Sequence, residues 1–297
     1  MVRVGLIGLD MSHAVAFTAM LNDPAHPHHV PGGRVTVGYA GGSDDFELSR
    51  SRLDGYVRQV RDGGVRVVAS PADVAAEADV VLITAVDGRQ HRPLFEAVAP
   101  HRKPTFVGKP LALSGDDAAA MFDLADRHGT VLMSSSALRF SDAFTTTAGD
   151  GQGIVGVDVF GPAPLEQTQP GLFWYGIHAV EMVVAAMGVG CVEASATATD
   201  AAETVTLRWG DGRVATVRGL RAASSAFGLT VHRAAGPSYA DTTGSATPTA
   251  AGLLRAIMAS LPRGVSAVPA AETLAVVRIV EAANRSRAAG GRPMAVG

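Results

Sequence analysis

The chain has 297 residues, 47% of them hydrophobic and 18% charged, with a net charge of −3; that is enough for one large domain or two ordinary ones with a sizeable core. So mild a charge offers no basic face for nucleic acid or an anionic membrane, and the longest mostly apolar run, 177–192, carries His178 and Glu181 and is short for a membrane span. One cysteine, Cys191, allows no internal disulfide and fits a reducing cytoplasm, and no basic stretch, apolar core and cleavage site mark a secretory signal.

Residues 2–8 read as a short buried strand running into a glycine turn, after which Leu9, Asp10, Met11, Ser12 and His13 open a helix. A strand, a turn and a helix start in that order form a phosphate-cradling corner, because the first helical amides are unpaired and favour an anion. With Gly8 first in G-x-G-x-x-G, Asp10 and His13 take the places of the second and third glycines. A carboxylate there opposes a pyrophosphate unless it turns to cap the helix through the amide of Ser12 or His13, or pairs with His13. On that reading Asp10→Gly tightens nucleotide binding.

Further strands are predicted at 34–39, 65–68, 80–84, 105–107 and 131–134, separated by helical patterns at 46–60, 71–76, around His91 to Val98, and at 114–127. Ser114 with Asp117 resembles a capping box for the last of these. Six strands alternating with helices argue for a doubly wound parallel sheet over residues 1–135. In residues 136–297 the rhythm changes. A strand at 154–160, a proline-broken loop at 161–171 and a helix at 176–187 precede strands at 192–199, 204–209, 214–220 and 228–232. A hairpin turn lies at 210–213, a polar and mobile stretch at 236–248, and closing helices at 250–261 and 272–288. This half reads as an α+β domain with an open, mostly antiparallel sheet.

Of the 25 basic residues only Lys103 and Lys109 are lysines. Lysine can be tuned to lose its proton and arginine cannot, so a retained lysine points to proton chemistry. Lys109 stands just past a predicted parallel strand, where open α/β sheets bind ligands, and Pro110 restricts it to extended geometry; Lys103 reads as a loop charge. His178 and Glu181 share one helix face, behind an aromatic approach, Phe173, Trp174 and Tyr175. His26, His28 and His29 have no accompanying carboxylate or cysteine pattern and read as a polar loop, so no metal is expected.

The order of these motifs resembles the Gfo/Idh/MocA oxidoreductases. Residues 3–8 are similar to the family's opening strand and turn, and 86–91 to its strand-four loop ending in histidine. Residues 107–111 are similar to its Glu-Lys-Pro motif with Gly108 in place of glutamate, and Leu138, Arg139 and Phe140 to its second-domain entry. Residues 176–181 match its Gly-x-His helix, with Trp174 where an acidic partner is common, and 281–293 its closing helix and tail. The resemblance implies a Rossmann domain, an open antiparallel sheet, and NAD(P)-dependent chemistry at a sugar-like or polyol-like carbonyl. Lys109 and His178 would handle the proton at a common cleft. It further implies cofactor contacts at Gly8, Leu9, Asp10, Ser12, His13, Gly42, Ser43, Asp44, Val86, His91 and Lys109. Substrate contacts would come from Arg139, Glu166, Trp174, Tyr175 and His178. NAD and NADP both stay open, since Asp44 suits a ribose hydroxyl and Arg50 or Arg52 a 2′-phosphate. The implied partner is a small molecule, and the open sheet face implies a homodimer or homotetramer. A non-redox enzyme using Lys109, His178 and Glu166 or Tyr175, and a silent binding protein, remain alternatives.

Overall fold

The apolar runs of the first half assemble side by side. The computed structural model describes residues 1–222, 226–242 and 247–297. In it, strands β1 (Val2–Ile7), β2 (Gly33–Tyr39), β3 (Arg66–Val68), β4 (Val80–Ile83), β5 (Thr105–Gly108) and β6 (Leu132–Ser135) form a sheet in the order β3-β2-β1-β4-β5-β6. Every pairing in it is parallel. Each residue of β4, β5 and β6 is buried, as the near-continuous apolar sequences of β4 and β5 require of strands covered on both faces; β6 buries two serines as well. The order reverses direction between β1 and β4, and that is where a doubly wound sheet opens a crevice at its strand C-termini.

Helices α1 (Ser12–Asn22), α2 (Glu47–Asp62), α3 (Pro71–Glu77), α4 (His91–Val98) and α5 (Gly115–His128) connect the strands. Local chemistry sets their ends. Ser70 accepts from the amide of Asp73 and Pro71 follows it, so α3 starts with both a cap and a preset φ. Helix α1 buries Ala14, Phe17, Met20 and Leu21.

The second unit takes residues 136–249 and 271–297, together with 113–115. Its strands β7 (Ile154–Pro162), β8 (Cys191–Ala198), β9 (Ala202–Trp209), β10 (Val214–Leu220), β11 (Gly228–Arg233), β12 (Ser238–Asp241) and β13 (Met294–Ala295) lie in the order β12-β11-β7-β10-β9-β8-β13. All neighbours are antiparallel except β7 and β10. The β9–β10 hairpin closes where the sequence predicts it, with Gly212 at φ +91°. Helices α6 (Asp142–Ala148), α7 (Ile177–Met187) and α9 (Ala270–Ala288) accompany this sheet. The buried Glu203 carboxylate on β9 holds Arg221 beyond β10 and Arg287 on α9. The remaining helix, α8 (Thr249–Ser260), groups from Ala250 onward with the first unit. There Ser260 Oγ lies 3.2 Å from Met133 Sδ, and Met258 fills the space beside Gly33.

The α/β class, with a parallel sheet followed by a mostly antiparallel one, is as the sequence predicts. Three details differ. Within the stretch expected to be mobile, Ser238–Asp241 is a strand paired with β11, while 243–246 lie outside the described residues. Helix α6 and strand β13 also went unanticipated: the first is only 7 residues long and the second only two, too short for a periodic signal. Among the described residues no helix is long and apolar enough to cross a membrane.

Candidate functional site

In the first unit the ends of β1, β2 and β4 gather around Gly8. Its amide donates to Tyr39 O (3.0 Å), Leu9 N donates to Ala40 O (2.8 Å), and Thr84 Oγ1 donates to Gly8 O (2.6 Å). Gly8 adopts φ +82°, and a Cβ there would sit 2.4 Å from the Ala85 backbone nitrogen. Gly8→Ala therefore forces both a left-handed alanine and a backbone shift. We expect a loss of at least about 1–3 kcal/mol in stability, checked by denaturant unfolding; an unchanged midpoint would contradict it.

Asp10 takes neither of the routes the sequence suggests for it. The residue before α1 is Met11, and no side chain caps the helix. The Asp10 carboxylate turns inward and is fully buried: Oδ2 accepts from Ser49 Oγ (2.6 Å) and Oδ1 from the Val86 amide (3.1 Å). Burial pushes its pKa up, and the bonds from Ser49 and Val86 offset only part of that. His13 stacks on Phe17, its ring centroid 5.2 Å away, and not on Asp10. Burial, helped by the charge of Lys109, holds its pKa down to about 4, so His13 is neutral near pH 7.

The polar chain continues outward from Asp10. Ser49 Oγ accepts from Ser43 N (2.8 Å), Ser43 Oγ donates to Asp87 Oδ2 (2.7 Å), and Arg89 bridges Asp87 to Asp45 at 2.7 Å from each. Of the cofactor residues expected from sequence, Gly8, Leu9, Asp10, Ser43 and Val86 are thus linked directly or through Ser49 and Thr84. Gly42 precedes Ser43, Ser12 starts α1, and Asp44 is exposed beyond Ser43.

Lys109 follows β5 directly and is 9% exposed. Burial lowers its pKa to about 8. Its charge lowers the pKa of both His13 and His91, so the lysine shares their neighbourhood at the sheet's C-terminal edge. The Lys109–Pro110 bond is cis. His91 is fully buried, with Nδ1 2.6 Å from Pro110 O and Nε2 2.9 Å from Ala85 O. Burial lowers its pKa, and a neutral ring donates to only one of those carbonyls. His91 ties the loop after β4 to the residue after Lys109.

In the second unit His178 opens α7. Ser136 Oγ lies 2.6 Å from its Nδ1. Tyr175 and Phe227 meet the ring edge-on at 5.5 and 5.6 Å, and Trp174 packs against Tyr175. Phe227 has its place because Gly161 lacks a side chain; a Cβ there would fall 2.1 Å from the phenyl ring. Trp174 is buried and Tyr175 is 37% exposed. Arg139, expected at substrate, has its guanidinium between two carboxylates of this unit, paired with Glu272 and 3.6 Å from Glu181. Glu166 accepts from Thr168 N and Oγ1 within its own turn. Sequence reasoning missed Ser49, Asp87, Ser136 and Phe227. Only Ser136 left a signal, as the last of three serines where β6 ends.

His28 N donates to His26 Nδ1 (3.1 Å), and among the described residues no three His, Cys, Asp or Glu side chains group to hold a metal. Cys191 is buried, which raises its pKa to about 11, far from a reactive thiolate.

Fold and site thus define a doubly wound nucleotide-type unit joined in sequence to an open-sheet unit bearing an aromatic-flanked histidine. Residues 50–136 match the Gfo/Idh/MocA model, described as an oxidoreductase family with an NAD-binding Rossmann fold. Over that stretch the sequence is similar to this family, and the whole chain shares its fold with solved structures of low sequence identity. A probable dehydrogenase from Thermotoga maritima superposes with a TM-score of 0.80 at 17% identity, over 99% of this chain and 98% of that one. A myo-inositol dehydrogenase from Corynebacterium glutamicum gives 0.79 at 17%, over 100% and 99%. The Lactobacillus casei myo-inositol dehydrogenase, solved with NAD(H) and myo-inositol, gives 0.76 at 15%, over 100% and 97%. No curated protein matches the chain by sequence.

Proposed function

We propose that this protein is an NAD-dependent oxidoreductase acting on a small polyol-like or sugar-like alcohol or carbonyl, with Lys109 and His178 handling the proton. The observation that carries the reading is in the first unit: a helix start capped by no side chain follows the Gly8 turn, and a desolvated lysine lies at the C-terminal edge of the same sheet. The first feature suits a pyrophosphate, the second a group that exchanges a proton near neutral pH. Residues 1–135 would hold the dinucleotide, with Gly8, Leu9, Ser12 and His13 at the phosphates and Ser43 and Asp44 toward the ribose. Asp10, Val86 and His91 would shape the crevice from behind. Residues 136–297 would supply the substrate side, with Trp174, Tyr175 and His178 foremost.

When bound, the nicotinamide accepts or returns the hydride. Lys109 as a neutral amine takes the hydroxyl proton of an alcohol, or as ammonium donates to a carbonyl oxygen. His178 serves the same proton through its imidazole, and Tyr175 and Phe227 restrict water around that ring. Location in the cytoplasm, and assembly as a homodimer or homotetramer through the second sheet, belong to the same proposal. The sheet's exposed Val214 lies beside Thr216 and Arg218 on β10.

The loop after β2 favours NAD over NADP. It carries Asp44, Asp45 and Glu47, while Arg50 is paired with Glu47 and Arg89 with Asp45 and Asp87. A 2′-phosphate would meet the exposed Asp44 carboxylate, while Arg50 and Arg89 are already engaged by Glu47, Asp45 and Asp87. We expect NAD to bind at least about tenfold more tightly, a difference of about 1.4 kcal/mol. Titration with all four nicotinamide nucleotides tests both points: tighter NADP binding rejects the preference, and no binding of any rejects the function.

A further inference from the structure

We propose that the segment 136–139 is a two-point clamp on α7, in which Ser136 positions the His178 ring through Nδ1 and assigns proton handling to Nε2. The inference rests on His178 acting as proposed above.

The clamp is visible in the register. Ser136 meets His178, and Arg139 meets Glu181 at 3.6 Å. The two partners are three residues apart on each side. Ser136 caps the 3-10 turn Ala137–Phe140 from an extended conformation, and Arg139 lies within that turn. In the α-helix, residues three apart are surface neighbours. Both contacts therefore hold one face of α7, and rotating α7 about its axis would break both.

Ser136 suits a positioning role more than a filling one. It is 1% exposed, and Oγ already accepts from the Leu138 amide (3.2 Å). With one lone pair so committed, the hydroxyl has little rotational freedom left, and the ring nitrogen 2.6 Å away shares that restriction. The resemblance leads one to expect an acidic side chain near the histidine, but Trp174 stands there, packed against Tyr175. The serine gives the ring an uncharged hydrogen-bond partner. Glu181, the nearest carboxylate along the helix, is held by Arg139, which also binds Glu272.

The test compares Ser136→Ala, Ser136→Thr and Ser136→Val in the full-length protein. Thr and Val have nearly the same shape, so any difference between them reports the hydroxyl and not packing. The first readout is the ring ¹⁵N spectrum of His178, identified by its loss in His178→Gln. The expected result is one tautomer in the wild type and in Ser136→Thr, and an altered tautomer balance in Ser136→Ala and Ser136→Val. The second readout is steady-state kinetics, with kcat falling about 10- to 100-fold in Ala and Val, recovering in Thr, and NAD affinity unchanged in all three. Identical ring spectra in Thr and Val overturn the clamp whatever the kinetics. A hydroxyl-dependent spectrum in a protein that transfers no hydride supports the clamp while rejecting the oxidoreductase reading, so the two failures are separable.

Discussion

Lys109→Met is expected to lower kcat about 10²- to 10⁴-fold, the usual contribution of a general acid or base, and Lys109→Arg should restore none of it. A guanidinium keeps its proton at any usable pH and cannot serve as a base. The wild-type profile carries the same signature. Burial lowers the lysine to about pH 8, so alcohol oxidation, which needs the neutral amine, should rise with pH through about 8. Carbonyl reduction, which needs the ammonium, should fall there. The stability term has a defined sign as well. A folded-state pKa below the unfolded value means that the unfolded chain binds more protons between about 8 and 10.5, so stability from this group rises with pH across that window. Measurement of kcat against pH for wild type and both variants settles the matter; a limb near pH 8 that survives in Lys109→Met would assign it to another group.

Asp10→Gly should destabilise the protein by about 2–4 kcal/mol, since it strips the acceptor from the Ser49 hydroxyl and the Val86 amide and leaves buried donors unmatched. It should not tighten NAD binding beyond about threefold. The repulsion argued from sequence assumed a carboxylate at the turn surface, whereas this one is buried with its oxygens occupied. Its raised pKa gives a further sign. Over the range above its ordinary value the folded state binds the proton more firmly, so this group's contribution to stability falls as pH rises. Asp10→Asn imitates the protonated form and should cost less than Asp10→Gly. Denaturant unfolding and a nucleotide titration on the same preparations test both halves; a tenfold gain in NAD affinity for Asp10→Gly would restore the repulsion argument.

Several parts of the protein were legible because their causes are local. The run at β4 announces a buried parallel strand by being apolar throughout, β1 and β5 by being nearly so, and Ser70 before Pro71 announces a helix start. The hairpin at 210–213 is written in its turn residues. Lys109 stood out by rarity and position, and its desolvation follows from the strand end on which it sits.

What the tertiary structure alone decided is which partner each polar group finds. Nothing near Asp10 in sequence points to Ser49, 39 residues on, or to Val86 behind it. Arg139 finds its carboxylate partners, Glu181 and Glu272, far along the chain. Ser136 acquires its meaning only when a serine and a histidine 42 residues apart come within 2.6 Å. Backbone form follows from short-range sterics and hydrophobic period, which neighbouring residues supply. The direction of a buried hydrogen bond depends on whatever group the packed chain brings opposite it, and that is a property of the whole fold.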